Sequence, residues 1–185
     1  NILRTVLRQD PDIVMVGEIR DEETAENAVQ AALTGHLVLS TLHTNDAPSS
    51  IARLLDLGVP PYLITATVVG IIAQRLLRKV CPHCKVPRQL SAEERTYLQL
   101  NVDSYTVYEG EGCKECRGTG YKGRTGIFEV LEMNERIRGM VGDKVDLAEL
   151  VRSAEQDGFL SLRQLAIRKM LEGTTTYDEV ISITG

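Results

Sequence analysis

Apolar positions along the first 80 residues fall at strand spacing and helix spacing in turn. Ile13 to Val16 is a short apolar run bounded by Asp10-Pro11-Asp12 and Gly17, which suits a strand buried on both faces. A helix follows. Asp21 can cap it, Glu22 and Glu23 complement its dipole, Ala25, Ala28, Val29, Ala32 and Leu33 recur at helical spacing, and Gly35 stops it. Leu37 to Leu42 predicts a second buried strand ending in His43-Thr44-Asn45. Asn45 or Asp46, with Pro48, then opens a helix whose inner face is Ile51, Leu54 and Leu55. This βαβα order predicts an α/β fold with a parallel sheet. Tyr62 to Val80 reads as a helix that gives way to a strand from about Ile71.

Between Cys81 and Cys116 the pattern becomes loop-like, apart from a helix opening at the capping box Ser91-Ala92-Glu93-Glu94. Arg124 to Leu131 predicts a strand. The remainder is helical, with faces formed by Leu147, Leu150, Val151 and Ala154, then by Leu162, Leu165, Ala166 and Met170. Thr176-Tyr177-Asp178-Glu179 is a capping box for a last helix.

With 185 residues, 43% of them apolar, the chain can bury a core as one domain or two small ones. A net charge of −5, 4% aromatic residues and no Trp argue against a nucleic-acid surface. No apolar run approaches the ~18 residues that span a bilayer, and no signal-type segment opens the chain. The first residue is Asn, with the helical pattern Leu3, Val6, Leu7 already running, as expected of a piece of a longer protein.

The four cysteines form two pairs, Cys81-Pro82-His83-Cys84 and Cys113-Lys114-Glu115-Cys116. Two such turns can point four thiolates at one ion, and a closed four-sulfur shell suits a structural Zn²⁺. His83 can replace one thiolate. Disulfides are disfavoured by the lack of an export signal, and a redox pair by the need to explain both turns. The run Cys116-Arg117-Gly118-Thr119-Gly120 is similar to the knuckle of DnaJ-type chaperones, which repeat the unit where this chain has it once.

In parallel α/β sheets ligands sit beyond the C-terminal ends of the strands. There the sequence places Glu18, a carboxylate suited to organising Mg²⁺ and an attacking water, and His43, suited to a γ-phosphate contact. A helix-cap neighbour and a satisfied polar histidine are the plainer alternatives.

Three stretches resemble one family. Leu7 to Ala25, with its core Val16-Gly17-Glu18-Ile19-Arg20-Asp21, is similar to the Walker B segment of the secretion ATPase superfamily. Thr34 to Asn45 is similar to its His box. The tetracysteine insert, with Arg124-Thr125-Gly126-Ile127-Phe128-Glu129-Val130, resembles the type II secretion protein E and type IV pilus assembly branches. The resemblance implies the C-terminal portion of a RecA-like P-loop ATPase domain (1–80), an inserted tetracysteine zinc module (81–123), and a returning strand with a helical C-terminal subdomain (124–185). It implies Glu18 and His43 as catalytic residues and Arg20, Asp21 and His36 as nucleotide-binding ones. Cys81, Cys84, Cys113 and Cys116 would hold zinc. Gln74-Arg75-Leu76 matches a family signature of open role.

For the full-length protein the resemblance implies Mg²⁺ and ATP, a homo-hexamer, and inner-membrane secretion platform partners. It implies a cytoplasmic location, peripheral to the bacterial inner membrane. The residues Thr44-Asn45-Asp46-Ala47 lean toward secretion over pilus assembly. No GxxxxGK[ST] occurs in these 185 residues, so the expectation is that they do not hydrolyse ATP alone. A non-enzymatic, zinc-stapled interaction module is the alternative.

Overall fold

The computed structural model describes residues 11–101 and 104–184. The helical pattern of Leu3, Val6 and Leu7 and the start of the Walker B-like run lie outside them. Packing divides the chain into two units, Asn1–Ala73 with Val130–Phe159 and Gln74–Glu129 with Leu160–Gly185.

In the first unit, β1 (Ile13–Val16) pairs in parallel with β2 (Leu37–Ser40), Ile13 opposite Leu37 and Met15 opposite Leu39. The parallel pairing agrees with the sequence, whereas burial on both faces does not. Val14 is buried, but Ile13, Met15, Leu37 and Leu39 are at least 47% exposed. One face of this ribbon lacks a cover among the described residues, so the apolar run overstates its burial.

Helix α1 (Glu22–Leu33) starts at Asp21, whose carboxylate accepts the Thr24 N–H at 2.8 Å. Helix α2 (Ala47–Asp56) starts at Asp46, which accepts the Ser49 N–H, with Pro48 in its first turn where a missing N–H costs nothing. Helix α3 (Pro61–Thr67) follows. The core of this unit is largely helical. Ile51 and Ile64 are sealed among Ala25, Leu54, Leu131, Ile137 and Leu150, each such side chain contributing about 2 kcal/mol of burial. The last residues come from later segments, notably α5 (Glu135–Met140) and α6 (Leu147–Gln156). Helix α5 falls in the stretch that the sequence predicts as helical, although no apolar face is assigned to it there.

The second unit takes in most of two paired strands, residues 74–80 of β3 (Gly70–Val80) and residues 121–129 of β6 (Tyr121–Glu132). Between them lies a hairpin that the loop-like composition conceals. Strand β4 (Lys85–Gln89) runs antiparallel to β5 (Thr106–Gly110), and α4 (Ala92–Leu98) opens at the expected capping box of Ser91 and Glu94. Gly110 and Gly120 cross back to back. A Cβ on Gly110 would fall 2.2 Å from the Gly120 carbonyl oxygen, and Gly120 has φ +76°, so both positions require glycine.

Helices α7 (Leu162–Leu171) and α8 (Tyr177–Thr184) complete the unit. Buried Glu129 on β6 accepts the Leu162 N–H at 2.7 Å, placing a carboxylate at the positive end of α7. At α8 only half of the expected capping box forms. Thr176 Oγ1 accepts the Glu179 N–H, but the Glu179 carboxylate turns to Arg78. A buried acid gains more from a cation and a strand N–H than from a second helix-end N–H. Among the described residues no helix is long and apolar enough to cross a membrane.

Candidate catalytic strand tips and a four-cysteine cluster

Past Val16 and Ser40 the ladder of β1 and β2 ends, and the two chains leave the sheet side by side. Glu18 and His43 sit on these exits and meet there. His43 Nε2 contacts Glu18 Oε1, and Arg20 Nε lies 2.6 Å from Glu18 Oε2. Glu18 is mostly covered, its side chain 22% exposed, while Arg20 and His43 stand out into solvent at 73% and 83%. The Arg20 hydrogen bond outweighs desolvation and, with His43 nearby, holds the Glu18 carboxyl below its ordinary range. Near neutral pH the tip is therefore an ionised carboxylate flanked by two nitrogen groups.

The other two predicted residues are engaged locally. Asp21 caps α1, and the Thr24 N–H it accepts lowers its pKa. His36 lies at the start of β2, at the opposite end of that strand from His43. Its Nδ1 is 2.9 Å from Ala31 O and 3.0 Å from Thr34 Oγ1, closing the turn after α1. The structure thus brings together Glu18, Arg20 and His43 and keeps His36 apart.

The loop carrying His43 is anchored on both sides. Thr41 reaches across to the β1 exit, donating from Oγ1 to Gly17 O at 2.7 Å. Thr44 donates to Asp46 O and shares a 2.8 Å bond with Ser50 Oγ at the start of α2. The sequence gives neither threonine an anchoring role, because a threonine beside a histidine carries no pattern of its own.

In the second unit, Cys81 follows β3 directly, and its N–H bonds to Gly120 O at 2.8 Å. Cys113 precedes a single 3-10 turn, Lys114–Cys116, of which Cys116 is the last residue. All four cysteines are free, and their sulfurs lie within 4.8 Å of one another. The Cys81–Cys113, Cys84–Cys116 and Cys113–Cys116 separations are 3.9, 3.8 and 3.7 Å. A Zn–S bond of about 2.3 Å gives a tetrahedral edge of about 3.8 Å, so the donor set fits that ion. His83 is not in the cluster.

Burial pushes the Cys84 thiol up to about 12. Burial acts on Cys116 in the same direction, but N–H groups of Cys113 and Gly120, at 3.1 and 3.2 Å, hold it down at about 6.

The type II/IV secretion system protein family matches residues 1–182. Type IV pilus assembly ATPase TfpB of Acinetobacter baylyi is 49% identical over 98% of this chain and 32% of its own length. Type II secretion system protein E of Pseudomonas aeruginosa is 49% identical over 98% of this chain and 36% of its own. The chain thus spans about a third of the curated relatives it matches.

The structure of the pilus retraction motor PilT with bound ADP superposes with a TM-score of 0.67 at 27% identity, covering 99% of this chain and 42% of that one. That of the Legionella pneumophila ATPase DotB gives 0.66 at 22% identity over 98% and 40%, a likeness of fold. On the family match and these relatives, the chain belongs to the type II/IV secretion system proteins.

Proposed function

We propose that this chain is part of an ATP-hydrolysing motor of protein secretion or pilus assembly, and that Glu18 is its water-activating carboxylate. The meeting of Glu18, His43 and Arg20 at the C-terminal ends of two parallel strands carries the reading. There a carboxylate orients a water and accepts its proton, while the two nitrogen groups face the transferred phosphoryl oxygens. Glu18 would help to organise Mg²⁺, which would supply charge neutralisation to the phosphates.

In this reading His43 contacts the γ-phosphate and Arg20 balances charge at the same tip. Asp21 and His36, spent on the α1 cap and the turn before β2, act by positioning. The full-length protein works as a hexamer on an inner-membrane platform at the cytoplasmic face, as the family resemblance implies. Equal identity to pilus and secretion relatives favours neither branch. The residues that leaned toward secretion serve local structure, since Asp46 caps α2 and Thr44 bonds Ser50.

Cys81, Cys84, Cys113 and Cys116 hold one structural Zn²⁺, a reading supported by the sulfur separations and the mutual proximity of all four. The closed shell leaves no position for water, so this ion takes no part in the chemistry.

Glu18→Gln in the full-length protein tests the central claim. It preserves shape and removes the charge, so Mg-ATP binding should persist while turnover falls by at least ~100-fold. Turnover at the unsubstituted rate would overturn the reading.

A further inference from the structure

We infer that Thr41 is the positioning residue of the Glu18 tip, clamping the backbone on both sides of the carboxylate. The inference rests on the proposed role of Glu18. Two bonds define it. Thr41 Oγ1 donates to Gly17 O at 2.7 Å, and Thr41 O accepts the Ile19 N–H at 3.0 Å. Gly17 and Ile19 are the two chain neighbours of Glu18, so one residue of the opposite exit holds both its flanks.

The clamp sits where it is needed. The β1–β2 ladder stops at Val16 and Ser40, and Gly17 has open space where a side chain would be. Ile19 packs against the core, so packing holds one flank of Glu18 and leaves the Gly17 flank to the hydroxyl. The Ile19 bond is backbone to backbone and survives any substitution, but alone it is one pivot. The hydroxyl supplies the second point and removes rotation about the first.

His43 follows Thr41 by two residues, so the same clamp sets the spacing between the carboxylate and the ring that contacts it. Loss of the hydroxyl leaves Glu18 chemically intact and loosely aimed. Misplacement on the order of 1 Å costs up to ~100-fold in rate, and a half-released tip should lose about tenfold. The loss belongs in kcat, since Thr41 touches no phosphate-facing group.

Thr41→Val, nearly isosteric and without the hydroxyl, and Thr41→Ser, which keeps it, are compared in the full-length protein. Thr41→Val should lower kcat about tenfold, shift KM for ATP less than about twofold, and move the melting temperature by no more than about 2 °C. Amide exchange at Ile19 should quicken about tenfold as the tip opens locally. Thr41→Ser should restore both.

An unchanged kcat and an unchanged Ile19 exchange rate in Thr41→Val would overturn the clamp. So would a rise in KM alone, which marks a nucleotide contact, or equal losses of kcat and stability in both variants, which mark a fold residue. Faster exchange with unchanged kcat would keep the clamp and instead refute catalysis by Glu18, an outcome that Glu18→Gln turnover checks separately.

Discussion

Arg78 and Glu179 are joined three times across 101 residues of sequence. The Glu179 carboxylate accepts the Arg78 backbone N–H at 2.7 Å, its Nε at 2.7 Å and its Nη2 at 2.6 Å. The glutamate side chain is 5% exposed, and the guanidinium also lies 4.1 Å above the Tyr121 ring. One side chain thereby completes a strand N–H and fixes α8 to β3.

Glu179→Ala should cost about 3 kcal/mol, because it strands an N–H and removes the partner of a cation held over a ring. Glu179→Gln should recover part of this, since the amide oxygen still accepts the Arg78 N–H. Urea denaturation of the three proteins checks the order. Equal losses in both variants would show that the backbone bond adds nothing.

Purified protein should carry one zinc per chain, because structural sites of this kind bind with roughly 10 to 16 kcal/mol of apparent free energy. Cys81→Ser or thiol-directed metal release should raise amide exchange across 81–120 and leave the α1 and α2 core unchanged. Elemental analysis with exchange mass spectrometry reads both. A metal content near zero would refute the site.

His43→Ala in the full-length protein should differ from Glu18→Gln. If His43 contacts the γ-phosphate as proposed, removing the ring should shrink the preference for ATP over ADP along with turnover. Titration of both nucleotides measures it, and an unchanged ATP-to-ADP affinity ratio would remove His43 from that role. The 185 residues by themselves should show no steady hydrolysis, since they contain no P-loop.

Glu94 sets a pH dependence. Two Arg88 nitrogens donate to its carboxylate at 2.7 and 2.8 Å, and that bonding lowers its pKa below the ordinary 4.5. A carboxyl depressed on folding stabilises the protein fully above its unfolded pKa and loses that contribution as pH falls through the folded one. Glu94→Gln should therefore cost about 1 kcal/mol at pH 7, a surface-screened value. The difference should shrink as the pH falls below the ordinary carboxyl range and through the lower folded value. Melting curves at pH 7 and at successively lower pH test this, and a pH-independent difference would assign the effect to helix capping alone.

The sequence exposed what is local. Asp21, Asp46 and Ser91 announce three helix starts by chemistry that acts within one turn, and all three caps form. The cysteine pairs were equally legible, because each turn sets two sulfurs by itself. The β4–β5 hairpin was hidden, since Pro87 interrupts one strand and the pairing partners of Lys85 and Gln89 lie beyond an intervening helix. The placement of Glu179 depended on a strand 101 residues away. The clamp from Thr41 was invisible for the same reason: a bond to Gly17 is decided by which strands become neighbours. The exposure of Ile13 and Met15 departs from the burial read from their apolar run, because a strand cannot report how many layers will cover it.

The nesting of β4–β5 inside β3–β6 has a kinetic consequence. Bringing Cys81 to its bond with Gly120 from an open chain means closing a loop of several tens of residues, whose entropy cost grows with the logarithm of its length. Once Lys85 stands opposite Gly110, only short segments on either side separate the outer strands, and that closure becomes much less costly. The inner hairpin is thus placed to form first and to template the outer one, as a zipper closing from its far end. A substitution that weakens β4–β5 should slow refolding of the second unit more than it speeds unfolding.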